Sequence, residues 1–211
     1  MPDYNIYQLV GMKIANIETP TKKALLDAAN GLMLEKGFVA TSVDEICRAA
    51  KVTKGSFFHY FKSKEELGKE LVVRFSKAAS DFMKAACKDA GEDPLDRIYA
   101  FIDVVIMKSE SPEAKGCLVG TFSQELSETH PEIRCLCAKS LERMAETFKE
   151  HLAQAKAKYA PKASFDVKSL ADCFIALAQG SMLMMKAHQD KAIMKKNLFH
   201  FKEYLKHLFG R

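Results

Sequence analysis

Residues Thr41 to Leu67 read TSVDEICRAAKVTKGSFFHYFKSKEEL, and this stretch decides the fold. Ser42-Val43-Asp44-Glu45 fits a capping box, in which a Ser hydroxyl and a Glu three residues on satisfy each other's open backbone amides at a helix start. Ile46, Ala49 and Ala50 give that helix a packing face, Lys51-Val52-Thr53 is the turn, and Thr53 caps a further helix through Phe61. Ser63 caps the next helix, with Glu65 and Glu66 in its first turn, where the helix dipole favours acids. From Arg48 to Lys64 there are five basic residues (Arg48, Lys51, Lys54, Lys62, Lys64) and no acid. A compact helix pair that is basic, aromatic and hydroxyl-rich has the footprint of a duplex-DNA reader.

Outward from this stretch, apolar residues recur at helical spacing and period-two alternation is absent over any useful length. The expected fold is all-α. Thr19-Pro20 opens the first helix, since Pro costs nothing in a first turn whose N–H has no partner. Leu25, Leu26, Ala29, Leu32 and Met33 face inward, and Gly37 ends the helix, glycine being the natural residue just past a C-terminus. The helix after Ser63 is long and buries Leu67, Leu71, Phe75, Phe82 and Met83. Gly91-Glu92-Asp93-Pro94 ends it and opens a helix carrying Leu95, Ile98, Phe101, Ile102, Val105 and Ile106, which Ser111-Pro112 breaks. Further helices are expected over about 117–128, 131–157, 165–188 and 191–208.

The 211 residues, 48% of them apolar, suffice for a small domain joined to a larger one. The net charge of +5 is mild, so the clustering at 48–64 carries the nucleic-acid argument rather than the total. No apolar run reaches the roughly 18 residues of a membrane span. The first twenty residues lack a basic start followed by an apolar core, so no signal peptide is expected. Cysteines at 47, 87, 117, 135, 137 and 173 show no disulfide framework and read as thiols of a reducing cytoplasm. Met12 offers a second possible start, which leaves open whether 1–11 is native. Residues 1–19 are expected to be poorly ordered.

Residues 20–70 resemble the DNA-binding domain of the tetracycline-repressor (TetR) family of bacterial transcription regulators. The likeness runs without gaps through Thr41-Ser42-Val43, Ile46, Ala49-Ala50, Val52, Lys54-Gly55-Ser56 and Tyr60-Phe61-Lys62-Ser63-Lys64-Glu65-Glu66-Leu67. Two positions depart from the family. Lys51 stands where the family usually has Gly, so a left-handed turn there would carry a steric cost. Phe58 stands where it often has Tyr, and lacks the hydroxyl a phosphate would take. Gly55 and Ser56 permit close approach of the helix to the groove. Thr53 and Lys54 sit at a helix N-terminus, which favours a phosphate. His59 and Tyr60 are candidates for phosphate or base contact, Lys64 for the DNA backbone and Ser42 for a phosphate, whereas Phe57 and Phe61 read as core. Phosphate contacts position a protein and base edges specify sequence; residues 53–60 are placed for the second task.

The resemblance implies a helix-turn-helix domain over 20–65, joined by the long fourth helix to a larger helical domain over 66–211 for effector binding and dimerisation. It further implies a cytoplasmic homodimeric repressor that leaves a palindromic operator on binding a small hydrophobic or electrophilic effector. Two-fold pairing suits half-sites about 34–36 Å apart. Phe174, Leu177, Ser181, Met185, Leu198, Phe201 and Leu205 on the last two helices are the expected dimer seam, although part of each stripe must be internal core. Phe101, Val105, Cys117, Phe122, Met144, Phe148, Phe174 and Met182 are the candidate effector lining, since Met-rich walls re-pack around varied apolar ligands.

Lys115-Gly-Cys-Leu-Val-Gly-Thr-Phe-Ser-Gln-Glu-Leu126 is similar to the Gly-Cys-Leu-x-Gly-Asn-Leu…Glu-Leu segment of one TetR subgroup, with Thr121 in place of Asn. Some members of that subgroup sense electrophiles or oxidants through the matching cysteine, which makes Cys117 a sensor candidate. Lys115 and a helix N-terminus would favour its thiolate; a small buried residue between Gly116 and Gly120 is the other reading. Cys135-Leu-Cys137 with His130 lacks the ligand complement of a zinc site, so no metal or cofactor is expected. Cys47 reads as packed, and His188, His200 and His207 as surface. Two rivals remain, a sequence-independent architectural DNA protein and a small helical enzyme acting on an anionic substrate. The sequence holds no nucleophile–base pair, paired acids or phosphate-cradling loop for the latter.

Overall fold

The computed structural model describes residues 19–112 and 114–211. Among the described residues the chain forms α1 (Pro20–Lys36), α2 (Val43–Ala50), α3 (Lys54–Tyr60), α4 (Lys64–Asp89), α5 (Pro94–Glu110), α6 (Leu118–Leu126), α7 (Pro131–Tyr159), α8 (Val167–His188) and α9 (Ala192–Phe209). The fold is all-α, with a helix-turn-helix N-terminal part and a helical C-terminal part. The expectation for residues 1–19 falls, except for Thr19, outside the described residues.

Helix starts follow the local chemistry. The Thr19 hydroxyl accepts from the Lys22 amide with Pro20 just inside α1. Ser42 and Glu45 close the reciprocal capping box. Thr53 accepts from the Ser56 amide, and Asp93 and Asp166 cap α5 and α8. Gly37 ends α1 at φ 90°, and Lys51 does adopt the left-handed conformation, φ 57° and ψ 41°, at the end of α2.

The chain divides into two compact units. Among the described residues the first holds 19–77 together with Leu118–Ser140. Phe38 takes part of its cover from beyond the first three helices. Its ring is 1% exposed and meets Phe122 of α6 and His130 edge-on, at 5.4 and 5.5 Å. Within this unit α1 packs on α2, α3 and α6. Leu34 rather than Leu32 is buried on α1, and Cys47 joins Ile46 on α2 while Ala49 is exposed.

The second unit, Ala78–Cys117 with Leu141–Arg211, centres on four phenylalanines. Phe148 stacks on Phe174 at 4.3 Å, with Phe101 and Phe201 at 5.1 and 5.5 Å from one or the other. α9 packs on α8 and α5. Phe82, expected to be buried, is half-buried under the Lys108 ammonium, 3.9 Å from its ring centre. α8 is long and apolar enough to cross a membrane by length and composition alone, yet it places Leu170, Ala171, Phe174, Ile175, Ala178 and Ser181 in this core.

Candidate nucleic-acid interface

α3 is a seven-residue helix whose inner side is anchored by Phe57, fully buried, and by Phe61 just beyond it. Fixing one side of so short a helix determines what the other presents. Thr53, Lys54, Gly55, Phe58 and His59 are exposed and Ser56 is half-buried, so most of the residues expected to meet DNA share one open surface. The Thr53 and Ser56 hydroxyls lie 3.0 Å apart at its start. Lys54 pairs with Asp44 at 2.9 Å, both exposed. That hydrogen bond to the Asp44 carboxylate raises the lysine's pKa. An exposed pair of this kind is worth little.

Gly55 is informative because nothing inside the protein requires it. A Cβ there would meet only the Thr53 hydroxyl, at 3.7 Å, and its backbone lies outside the left-handed region.

Three expected contacts are placed differently. Lys64 does not point outward: its Nζ donates to the carbonyls of Phe38 (3.0 Å) and Thr41 (2.9 Å) and lies 4.5 Å over the Phe38 ring. The fold brings the loop 37–41, whose carbonyls have no helical partners, beside the start of α4. Tyr60 is half-buried and its hydroxyl accepts from Thr19 Oγ1 at 3.0 Å, which ties the end of α3 to the cap of α1. The Ser42 hydroxyl is engaged with Glu45, donating to Oε2 at 2.8 Å and accepting from its amide at 3.3 Å. Lys36, then the Ser42 amide and hydroxyl, hold the Glu45 carboxyl down at about 2, from an ordinary 4.5. A depressed carboxyl contributes its stability fully above the unfolded value and loses it as pH falls through the folded one. The capping box therefore stays charged in ordinary buffers.

Phe58 is the residue that sequence reasoning undervalued. It was weighed only for the hydroxyl it lacks, yet it is 51% exposed beside the buried Phe57. The signal available was its spacing, since Phe57 and Phe61 occupy the inner side one turn apart. Arg48, Lys51 and Lys62 are exposed as well.

The expected effector lining falls in two places. Phe101, Val105, Phe148 and Phe174 are buried in the core of the second unit with Met144 and Met182 partly buried against them, whereas Phe122 belongs to the first unit, on Phe38. Cys117 is 5% exposed, which favours the packed reading over a thiol at the surface. The exposed cysteines are Cys135 and Cys173. Cys135 and Cys137 lie two apart on α7, one exposed and one buried, so they do not face a common ligand.

Most of the expected dimer stripe lies inside the chain's own fold. Phe174, Ser181, Leu198, Phe201 and Leu205 are buried in the chain's own core, and Leu177 and Met185 are half-buried against it. Periodicity located an apolar stripe without revealing which partner covers it. What α8 leaves uncovered is a different row, Cys173, Ala176, Gly180, Leu183 and Met184, all exposed and uncharged; Phe199 and Tyr204 are exposed on α9.

Sequence comparison matches residues 25–71 to the family described as bacterial regulatory proteins, tetR family, and residues 94–201 to the tetracyclin repressor-like C-terminal domain. The HTH-type transcriptional repressor DhaR of a Mycobacterium species is 28% identical over 82% of this chain and 86% of its own length. The transcriptional regulator AcuR of Cereibacter sphaeroides is 31% identical over 78% of this chain and 75% of its own. The crystal structure of reduced Escherichia coli NemR superposes with a TM-score of 0.78 at 25% identity, over 88% of this chain and 96% of that one. The likeness thus runs well beyond the DNA-reading helices.

Proposed function

This chain belongs to the tetR family of bacterial regulatory proteins, and on that premise we propose that it is a cytoplasmic homodimeric repressor released from a palindromic operator by a small hydrophobic or electrophilic effector. It is a DNA-binding transcriptional regulator, and its relatives regulate transcription rather than catalyse reactions. Family members bind operators and act as dimers.

The observation that carries the operator reading is the open side of α3. It presents Lys54, Phe58 and His59 around a glycine that the protein's own packing does not need. The test is selection of sequences from a randomised duplex library, followed by affinity measurement for the enriched sequence and for random duplex. A palindrome bound about a thousandfold or more tighter than random duplex is expected. Gly55→Ala should fold as well as the wild type, since Ala is favoured over Gly in a helix by about 0.5–1 kcal/mol, yet bind the palindrome at least about tenfold more weakly, because the added methyl holds the helix away from the DNA, at a cost comparable to one good base contact. Equal affinity for all duplexes with a steep salt dependence would replace this reading with the architectural one.

The dimer reading rests on the uncharged row of α8 and on Phe199 of α9. An exposed uncharged stripe on a charged protein marks an interaction surface, and Gly180, with nothing within 4 Å of its would-be Cβ, permits close helix approach. Phe199→Glu is expected to give a folded monomer by light scattering. Leu198→Ala, one residue away but buried, is expected to lower stability by about 2–5 kcal/mol and keep the dimer. Phe199→Glu remaining dimeric would move the seam elsewhere.

For the effector, the second unit's aromatic core supports a bulky apolar ligand that displaces part of it. Only a ligand preferring the released geometry can shift the equilibrium. Cys117 modification remains a second route, and its burial means an oxidant must await local opening.

A further inference from the structure

We propose that Glu125, on α6, is a positioning residue for DNA reading: its carboxylate fastens the loop between α1 and α2 and thereby sets the start of the helix-turn-helix. The inference rests on the operator-binding reading above. Glu125 Oε2 accepts the Phe38 amide at 2.7 Å and Oε1 accepts the Val39 amide at 2.8 Å, across 87 and 86 residues of sequence. Loop amides have no helical partner, and a carboxylate taking two of them makes charge-assisted bonds stronger than ordinary ones.

The surroundings are shaped for this contact. Gly37 holds φ 90°, and a Cβ on it would stand 2.9 Å from both Glu125 oxygens. Position 37 thus has two separate reasons to be glycine, backbone conformation and room for the carboxylate. On the carbonyl side, the Lys64 ammonium holds Phe38 and Thr41, so the loop is clamped through its amides by an anion and through its carbonyls by a cation. Ser42, the cap of α2, follows at once, and α2 packs on α3. A shift of α6 is therefore felt at the origin of the helix that supports α3. Base readout tolerates only fractions of an ångström of misplacement, whereas phosphate attraction depends on charge and distance far more loosely.

That difference supplies the test. Glu125→Gln keeps the shape but presents an NH2 group to one of the two amide donors. Its affinity for the selected palindrome relative to random duplex is expected to fall about tenfold, the equivalent of one mismatched base pair, with the slope against salt unchanged. Amide hydrogen exchange at Phe38 and Val39 should accelerate while Leu25 and Leu26 in α1 stay protected, which reports local release rather than unfolding. Glu125→Asp, with the charge kept but the reach shortened, should fall between wild type and Gln, and serves also if the Gln variant does not fold. A folded variant with wild-type discrimination, or with Phe38 and Val39 still protected, overturns the proposal. Equal affinity of the wild type for both duplexes would instead overturn the operator-binding reading itself.

Discussion

Replacing Phe148 by alanine should destabilise the protein by about 3–5 kcal/mol, the range for removing a buried aromatic ring. The ring is fully buried, and three other rings depend on it: Phe174 stacked at 4.3 Å, Phe101 at 5.1 Å and Phe201 at 6.4 Å. Each belongs to a different helix, α5, α8 or α9, so no single side-chain rotation fills the space. Against a total stability of about 5–15 kcal/mol the loss is large and will appear as a lower urea midpoint at unchanged slope. A change below about 1 kcal/mol, typical of a surface position, would mean that these rings do not form one packed cluster. The cavity has a second consequence. An apolar void of this kind stays dry and accepts small apolar molecules, so benzene should raise the melting temperature of Phe148→Ala and leave the wild type unmoved. Phe101, Phe148 and Phe174 were expected to line an effector site and Phe201 a dimer seam; all four are buried in one core.

The second large effect concerns Phe38. Phe38→Ala is expected to cost the first unit about 3–5 kcal/mol and to abolish operator binding, because the loop loses its buried anchor. Its neighbour on α4 gives a sharper test. Gly68 lies inside a helix, where Gly→Ala normally gains about 1 kcal/mol. Here a Cβ would stand 2.9 Å from Phe38 Cε2, and Phe122 and His130 meet the same ring at 5.4 and 5.5 Å, so it has no easy retreat. Gly68→Ala is therefore expected to cost about 1–3 kcal/mol, as overpacking does. In the Phe38→Ala background the same change should turn neutral or stabilising, leaving a coupling of about 1–3 kcal/mol between the two sites. Additive effects in calorimetry would show that the ring contact is not the cause.

Much of this was readable from residues close in sequence. Ser42 with Glu45, Thr53 with Ser56, Thr19 with Pro20 and the stop at Gly37 each join groups within four positions, and such bonds form wherever the helix does. The strained turn at Lys51 was legible for the same reason. Lys64 was not. Its sequence neighbourhood is that of a phosphate-binding lysine, but the carbonyls it takes lie 23 and 26 residues upstream. Tyr60 read as a contact candidate, and its hydroxyl is held by a partner 41 residues away. The stripe on α8 and α9 was identified as apolar, yet hydrophobic spacing says that a face is covered and not by what.

The sequence by itself determined the helices, their caps, the helix-turn-helix and the class of macromolecule it serves, because short-range hydrogen bonds and the 3.6-residue period express themselves locally. Only the tertiary structure decided which cations face outward, which side of α8 is left uncovered, and that α6 belongs with the DNA-reading unit. Those outcomes depend on contacts such as Glu125 to Phe38 and Gly68 to Phe38, where a charge or a missing methyl matters only once a distant segment has arrived beside it.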